Sequence, residues 1–337
     1  MKKRKLLVLL LCISLLTGCT KMLKNSDNQV VKNEVTGQTI TENVICKPTD
    51  ESTLKIYEEY EVNIEPTQQV RQLRFAIEKE TKLQACRQRL WYEAKDKPVV
   101  LEVDKTIEQS GITTETVLQM KDLGPQLPFR FFYLTEYFGP LFLYIIIYFI
   151  AKAMGKITEE VCLQTTLALI MWIVHYVKRI VETIYVHEFG DMTMPIRNIF
   201  KNCTYYYGFA IAVAINVNFF PRTNCFICTV IGLIGMIASI ISNGYCHIML
   251  KRLRTPGSQE WKIPKGFLFD YITTPNYFCE IMTWFFFNVM TGFRIMGILF
   301  NLCGIYQMWK WADQRRIKYK KISSDYNVKW TLLPFIH

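Results

Sequence analysis

Residues 129–151 read FRFFYLTEYFGPLFLYIIIYFIA, a run with the length and apolar character of a helix that crosses a lipid bilayer. Further apolar runs lie at residues 161–181, 203–220, 226–250, 277–293 and 295–311. Because lipid offers no hydrogen-bond partners to open backbone groups, we expect each run to be helical. Residues 20–120 are polar by contrast. The sequence therefore predicts a soluble N-terminal part and an α-helical, multi-pass membrane domain of about six transmembrane helices.

Basic residues are abundant, and their positions indicate which side of the membrane each loop occupies. The chain of 337 residues has a formal net charge of +11, which suits either nucleic acid or a membrane surface. The basic stretches adjoin apolar runs, at residues 178–179, 197–201, 251–265 and 310–321. With six spans they share one side, which the positive-inside rule assigns to the cytosol. We therefore expect residues 41–121 and the C-terminus to be cytosolic, and expect no nucleic-acid partner.

The N-terminus carries a conflicting signal. Residues 1–19 (MKKRKLLVLLLCISLLTGC) have the basic head, short apolar core and small-residue end of a secretory signal peptide. Their last four residues resemble a bacterial lipobox, in which Cys19 would carry the lipid. An uncleaved leader or an upstream fusion fits the same residues, and a cleaved signal would export the domain that follows. Residues 20–40 are polar, and we expect a disordered linker there.

Residues 41–121 have the pattern of a small α+β domain. A helical pattern at residues 66–82 starts with a proline, which suits the first turn of a helix. Strand patterns cover residues 41–47, 60–64, 90–92, 99–102 and 116–120. This ββαββ order is typical of a β-grasp, or ubiquitin-like, domain, although another small α+β module would share it.

Polar and ionisable residues interrupt the apolar runs. They are Glu136, His175, Lys178, Arg179, Glu182, Asn243, His247, Asn276 and Glu280. A charged side chain at the bilayer centre costs about 2.5–3.5 kcal/mol on insertion scales, so each requires a reason. Residues four apart share one helix face, as Lys178 and Glu182 do. Because these residues come from different helices, we expect them to meet in one polar cavity.

A metal site is not expected. Cys225 and Cys228 have C-x-x-C spacing, but no second pair and no flanking ligand histidine accompany them. His175 and His247 lack the spacing of a known metal motif. The scattered cysteines suggest no disulfide framework either.

Several ordered motifs resemble the very-long-chain trans-2-enoyl-CoA reductases of the steroid 5-alpha-reductase superfamily. They are HYVKRIVE at residues 175–182, MPIRNIFKNCTYY at 194–206, LRTPG at 253–257, KIP at 262–264 and PNYFCE at 275–280. The tail resembles that family too, from Tyr319 to the LPFI at residues 333–336. The resemblance makes residues 122–337 a membrane reductase domain and residues 41–121 the ubiquitin-like domain that precedes it.

The resemblance implies NADPH as the cofactor. The family's cofactor-binding positions fall on Arg179, Asn243, Arg254, Lys262, Asn276 and Tyr319. Guanidinium and ammonium groups pair well with the phosphates of a dinucleotide. Lys262 stands where other branches of the superfamily carry arginine. The chain has no glycine-rich dinucleotide fingerprint, so a doubly wound cofactor domain is not expected.

The resemblance also implies a catalytic set. Tyr277 corresponds to the proton donor; an ordinary phenol has a pKa of about 10, so such a donor benefits from a nearby cation, for which Lys178 is the candidate. Glu136 would position the site through a hydrogen bond to Tyr176, and Gln126 would contact the head of the substrate. The implied substrate is a very-long-chain enoyl-CoA, reduced in the last step of fatty-acid elongation.

The same resemblance places the protein in the endoplasmic reticulum membrane, in contact with lipid and with its active site facing the cytosol. Its implied partners are the elongase, the 3-ketoacyl-CoA reductase and the 3-hydroxyacyl-CoA dehydratase of the elongation cycle. Two alternatives remain at this point. One is a steroid or polyprenol reductase of the same superfamily. The other is a non-enzymatic membrane scaffold, lipoprotein or transporter, which the leader favours.

Overall fold

The computed structural model describes residues 41–45, 59–94, 97–113, 116, 118–189, 193–254 and 262–337. The leader at residues 1–19 and the linker at residues 20–40 lie outside the described residues. The chain forms two compact units, which are treated separately below. Among the described residues, the first comprises those up to Pro128 together with residues 193–198, and the second comprises those in 129–189 and 199–337.

The described part of the first unit contains the predicted ββαββ order. Its strands are β1 (Thr41–Ile45), β2 (Glu59–Asn63), β3 (Gln88–Ala94), β4 (Lys97–Val100) and β5 (Gln119–Asp122). β1 pairs with β2, and β3 lies between β4 and β5, all antiparallel. Each strand overlaps the predicted one, with ends that differ by a few residues.

The helix of this unit, α1 (Val70–Thr81), is shorter than the predicted segment at residues 66–82. The backbone N–H of Gln69 donates to the side chain of Gln72 at 2.7 Å, which fixes the start of the helix. Lys82 ends it in the left-handed conformation, with φ 57°. The apolar stripe of α1 joins the core of the unit, whose buried members are Val62, Ile64, Val70, Leu73, Ile77, Leu90, Leu101, Ile107, Ile112 and Leu118.

A third small sheet belongs to the first unit and was not predicted. β6 (Gln126–Pro128) pairs antiparallel with β7 (Thr193–Pro195). Three residues are too few to show the alternating apolar pattern by which a strand is recognised in sequence. The pairing brings segments of chain 67 residues apart into contact, as the hydrogen bond between Thr193 and Gln126 shows.

The second unit is built from six long helices in its described residues. They are α2 (Phe129–Ala153), α3 (Glu159–Tyr185), α4 (Arg197–Asn218), α5 (Phe226–Leu253), α6 (Pro275–Met290) and α7 (Ile295–Ile322). Each contains most of one predicted apolar run. α7 extends beyond the predicted end at residue 311 because its basic residues are also good helix formers. Among the described residues, α2, α3 and α5 are long and apolar enough to cross a membrane, so this unit is a membrane domain.

α5 and α6 pack with their backbones in close approach. A Cβ added to Gly232 would lie 2.5 Å from the backbone nitrogen of Met290. A Cβ on Gly235 would lie 2.4 Å from the Phe286 ring. Small residues at such contacts let transmembrane helices approach closely, which stabilises their association through packing and short polar contacts.

Aromatic rings fill the interior of the second unit around Trp172 of α3, which is fully buried. Its ring centroid lies 4.5 Å from that of Tyr144 and 5.3 Å from that of Trp284. Its indole N–H donates to the carbonyl of Pro140 at 3.0 Å, so this buried donor is satisfied. The aromatic packing joins α2, α3 and α6 next to the polar residues described below.

The C-terminal segment holds the loop before α6. The backbone N–H of Thr273 donates to the carbonyl of Trp330 at 2.9 Å. One residue later, the Thr274 hydroxyl donates to the carbonyl of Thr331 at 3.0 Å. Pro275 then starts α6, where its fixed φ and missing N–H carry no penalty. The tail thereby fixes the position from which Tyr277 projects, in the first turn of α6.

Candidate active site

Glu182 on α3 is the centre of a buried ionic cluster. Its Oε1 lies 2.9 Å from Lys178 Nζ and 3.0 Å from His247 Nδ1, and its Oε2 lies 3.3 Å from Arg179 Nη1. The two cations come from the preceding turn of α3, and His247 comes from α5. The Glu182 side chain is 7% exposed, so these groups rather than water compensate its charge. The expectation that Lys178 and Glu182 share one helix face is confirmed.

Asn243 connects this cluster to the start of α6. Its Oδ1 accepts a hydrogen bond from Lys178 Nζ, and its Nδ2 donates to the backbone carbonyl of Asn276 at 2.7 Å. Asn243 is buried, so both bonds satisfy groups that cannot reach water. Three helices thus meet through one amide, and Lys178, Asn243 and Asn276 are brought together as the sequence predicted.

Tyr277 lines an open cavity of about 340 Å³. The other lining residues are Tyr133, Trp311, Gln314, Arg315 and Lys318. The Arg315 guanidinium carbon lies 5.9 Å from the Tyr277 ring centroid, and the Trp311 ring lies 6.0 Å from it. Arg315 is therefore a cation beside the Tyr277 ring, and the expectation that Lys178 acts on Tyr277 stays a prediction. Lys178 is held by Glu182 on its own helix, whereas Tyr277 faces α7.

Behind Tyr277, Glu280 joins α6 to α3. Its Oε1 lies 3.3 Å from His175 Nε2 and accepts a hydrogen bond of 3.0 Å from Trp284 Nε1. The His175 side chain is 4% exposed, and its ring packs 4.7 Å from the Trp284 ring centroid. His175 and Glu280 therefore act as structural supports for the wall of the site.

Glu136 on α2 has a different partner from the expected one. Its Oε1 accepts a hydrogen bond of 2.6 Å from Asn202 Nδ2 on α4. Tyr176, the expected donor, is 2% exposed and lies among aromatic rings, 5.2 Å from Trp172. The packing explains the difference, because α4 presents an amide to Glu136, whereas Tyr176 lies among aromatic rings of α2, α3 and α6. Asn202 is also the first residue of a glycosylation sequon, and its amide is engaged by this bond.

Arg179, a predicted cofactor-binding residue, also contacts α2. Its Nη2 donates to the Tyr137 hydroxyl at 2.6 Å, and its guanidinium carbon lies 4.9 Å from the Tyr137 ring centroid. Together with its contact to Glu182, this fixes the guanidinium between two helices. Tyr137 was not predicted as a site residue, although its position next to Glu136 was a signal.

Gln126 lies in the first unit, on β6. Its amide nitrogen Nε2 donates to the carbonyls of Leu123 and Gly124 at 3.2 and 3.0 Å. Its Oε1 accepts a bond of 3.3 Å from the Thr193 hydroxyl. These bonds stabilise the turn before β6 and its pairing with β7, so a structural role accounts for Gln126 within that unit.

The remaining predicted cofactor residues lie near the end of α5 and on α7. Arg254 ends α5 and donates to the carbonyl of Glu188. Partial burial, followed by the positive charge of Arg315, lowers the pKa of Arg254. Tyr319 is 1% exposed, and burial raises its pKa. Lys262 is exposed and follows a segment, residues 255–261, that lies outside the described residues.

Three ligand-type side chains also converge near the ionic cluster. Atoms of Glu182, His187 and His247 lie within 4.8 Å of one another. Burial, followed by the positive charge of Arg179, lowers the pKa of His187 to about 3, so its ring is neutral. A divalent cation there would face the ammonium of Lys178 and the guanidinium of Arg179, which already compensate the Glu182 carboxylate. The arrangement favours an ion-pair network over a metal centre.

Arg315 is the principal residue that sequence reasoning missed. The neighbouring Arg316 has a different role. Arg316 donates to the Thr331 hydroxyl at 3.0 Å, so it holds the C-terminal segment instead. The available signal was helical spacing, because Arg315 lies one turn before Tyr319 on the same face of α7.

Comparison with known proteins identifies the family of this chain. Residues 192–337 match the 3-oxo-5-alpha-steroid 4-dehydrogenase family, and residues 52–121 match the ubiquitin family. The chain is 39% identical over 236 residues to a very-long-chain enoyl-CoA reductase of Dictyostelium discoideum, covering 69% of this chain and 78% of the relative. It is 37% identical over 275 residues to a "Probable very-long-chain enoyl-CoA reductase" of Caenorhabditis elegans, covering 77% and 88%.

A more distant relative carries a similar name. The "Trans-2,3-enoyl-CoA reductase-like" protein of Bos taurus is 28% identical over 244 residues, which cover 68% of this chain and 67% of that protein. The ubiquitin match confirms the predicted ubiquitin-like domain. The chain belongs to the very-long-chain enoyl-CoA reductase family, within the steroid 5-alpha-reductase superfamily.

Proposed function

We propose that this protein reduces trans-2-enoyl-CoA to saturated acyl-CoA with NADPH, as the last step of the very-long-chain fatty-acid elongation cycle. Its family membership supports an oxidoreductase that acts on a carbon–carbon double bond. The single observation that carries the proposal is the placement of Tyr277. Its side chain lines a cavity, and the residue before it is tied through Asn243 to the ionic cluster on α3.

The reaction needs a hydride at the β-carbon and a proton at the α-carbon of the enoyl thioester. The reduced nicotinamide supplies the hydride when it is bound. Tyr277 donates the proton, because it lines the cavity and corresponds to the proton donor that the family resemblance implies. Lys178 acts as a positioning residue: through Asn243 it fixes the carbonyl of Asn276 and therefore the first turn of α6.

The residues near Tyr319 suit the phosphates of a dinucleotide. Arg254 and Arg315 are close enough for the charge of one to lower the pKa of the other. An anion bound at Arg254 would offset this repulsion. We propose that Arg254 and Lys262 bind phosphate groups of NADPH, that Asn243, Asn276 and Tyr319 position the dinucleotide, and that Arg179 orients it from α3.

We further infer a six-span protein of the endoplasmic reticulum, with its active site and C-terminus in the cytosol. The six helices α2 to α7 of the described residues and the basic stretches between them support this topology. Surrounding lipid would then receive the acyl chain. The ubiquitin-like domain would be cytosolic, and the elongase, ketoreductase and dehydratase of the cycle would be the partners.

The test is turnover by the purified protein in detergent micelles or nanodiscs. NADPH oxidation is measured with trans-2-hexadecenoyl-CoA, with an enone steroid and with NADH as the alternative cofactor. We expect turnover with the enoyl-CoA and NADPH. Turnover with the steroid alone would contradict the proposed substrate, and equal use of NADH would contradict the proposed cofactor.

The matched variants are Tyr277→Phe and Tyr271→Phe. Tyr271 is exposed and lies just before α6, so its loss is expected to be silent. Tyr277→Phe should lower kcat by about 10²–10⁴-fold, the usual contribution of a general acid, while NADPH binding persists. Equal activity of the two variants would exclude Tyr277 as the proton donor.

A further inference from the structure

We infer that Arg315 is a catalytic residue of this reductase, the positive group that stabilises the anionic charge of the protonation step. The inference rests on the proposed function and adds a residue to it. The reaction creates negative charge twice near Tyr277: first on the enolate of the thioester, and then on the tyrosine oxygen after its proton has left. Neither charge has an assigned partner among the residues discussed above.

The position of Arg315 follows from the face that α7 presents to the cavity. Trp311, Gln314, Arg315 and Lys318 recur at the three- and four-residue spacing of one helix face, and all line the cavity. The Arg315 guanidinium carbon lies 5.9 Å from the Tyr277 ring centroid, and both side chains line the cavity. The positive charge therefore lies beside the phenol that releases the proton.

The chemistry of the step balances with these groups. Addition of the hydride leaves an enolate, whose electron pair forms the new C–H bond at the α-carbon while the thioester C=O is restored. The O–H bond of Tyr277 breaks, and the electron pair of that bond remains on its oxygen. Solvent in the open cavity returns the proton before the next turnover.

Arg315 suits this role better than a lysine would. Its planar fork can donate to the tyrosine oxygen and to a second oxygen at the same time, whereas an ammonium acts as a point charge. The side chain is half-buried, and electrostatic stabilisation is stronger where water is partly excluded. Donors aimed at developing negative charge commonly contribute about 10²–10³ in kcat.

The experiment compares Arg315→Ala, Arg315→Lys and the exposed Lys320→Gln of the same helix in the full-length purified protein. The readouts are kcat and KM for trans-2-hexadecenoyl-CoA, the dissociation constant of NADPH, and rescue by millimolar ethylguanidinium. We expect Arg315→Ala to lose about 10²–10³ in kcat, with a change in NADPH affinity below about tenfold. Ethylguanidinium should restore part of the lost kcat of Arg315→Ala, and Arg315→Lys should keep part of the wild-type kcat.

Each other outcome counts against the role. A normal kcat in Arg315→Ala, or a loss that appears only as weaker NADPH binding, would overturn the inference. Rescue of Tyr277→Phe by ethylguanidinium would do so as well, because Arg315 is still present in that variant and no guanidinium site has been vacated. Melting temperatures show whether Arg315→Ala is misfolded. In that case the test rests on Arg315→Lys, through its kcat relative to that of the wild type. Absence of turnover in the wild type would refute the proposed function itself, so the two failures are distinguishable.

Discussion

Neutralising Glu182 should destabilise the membrane domain far more than neutralising a carboxylate on its surface. The Glu182 side chain is 7% exposed and approaches two cations at 2.9 and 3.3 Å. Replacing it with glutamine preserves shape but leaves Lys178 and Arg179 without their counter-charge. Breaking a buried ion pair from one side costs about 3–5 kcal/mol.

The matched control is Glu188→Gln. Glu188 lies 3.9 Å from Lys251, and both side chains are well exposed, at 50% and 41%. Exposed pairs contribute little because water and salt screen them. For a domain of this size, about 1 kcal/mol corresponds to a few degrees in Tm, so we expect Glu182→Gln to lower Tm by roughly 10 °C and Glu188→Gln by very little.

The assay is thermal unfolding in one detergent, followed by intrinsic tryptophan fluorescence. A double variant, Glu182→Gln with Lys178→Met, completes the cycle. Removing one of the two uncompensated cations should recover part of the lost stability, which is a non-additive result. The ionic cluster does not stabilise the fold as argued if Glu182→Gln and Glu188→Gln have the same Tm. The same conclusion holds if the stability lost in the double variant equals the sum of the losses in its two single variants.

Two further perturbations test the packing and the titration of this region. A Cβ on Gly232 would meet the backbone of Met290 at 2.5 Å, whereas one on Gly304 would make an ordinary contact. Gly232→Ala should therefore cost about 1–3 kcal/mol and lower Tm, and Gly304→Ala should not; equal melting would contradict the close packing. Burial and the charge of Arg179 lower the pKa of His187 to about 3. An unfolded histidine has a pKa of about 6.5. The contribution of His187 to the free energy of unfolding is therefore fully present above that pH and is lost as pH falls toward 3, by about 2 kcal/mol at pH 5. Between pH 7 and pH 5, the Tm of His187→Gln should fall less than that of the wild type. An equal fall would contradict the lowered pKa of His187.

The distribution of apolar residues was enough to predict the helices, because lipid leaves a spanning segment few other conformations. Residue spacing also predicted that Lys178 and Glu182 share one helix face, since helix geometry alone places residues four apart on the same side. Strand ends were less accurate. The three-residue strands β6 and β7 were missed, because pairing partners that are distant in sequence leave no local pattern.

Contacts between helices were harder to predict. Asn243 was expected in the site, but nothing in the sequence specified that it bridges Lys178 and the carbonyl of Asn276. Rotation and register of packed helices decide such contacts. The same holds for Glu136, whose partner proved to be Asn202, and for Arg315, which reaches Tyr277 only because α7 packs against α6.

The most direct test of the proposed reaction follows the destination of the two hydrogens. Purified protein is incubated with trans-2-hexadecenoyl-CoA and NADPH dideuterated at C4, and the product is analysed by mass spectrometry. We predict hexadecanoyl-CoA with one deuterium at its β-carbon, and, with unlabelled NADPH in heavy water, one deuterium at its α-carbon. Unchanged substrate, or deuterium from the cofactor at the α-carbon, would contradict hydride transfer to the β-carbon with Tyr277 as the proton donor.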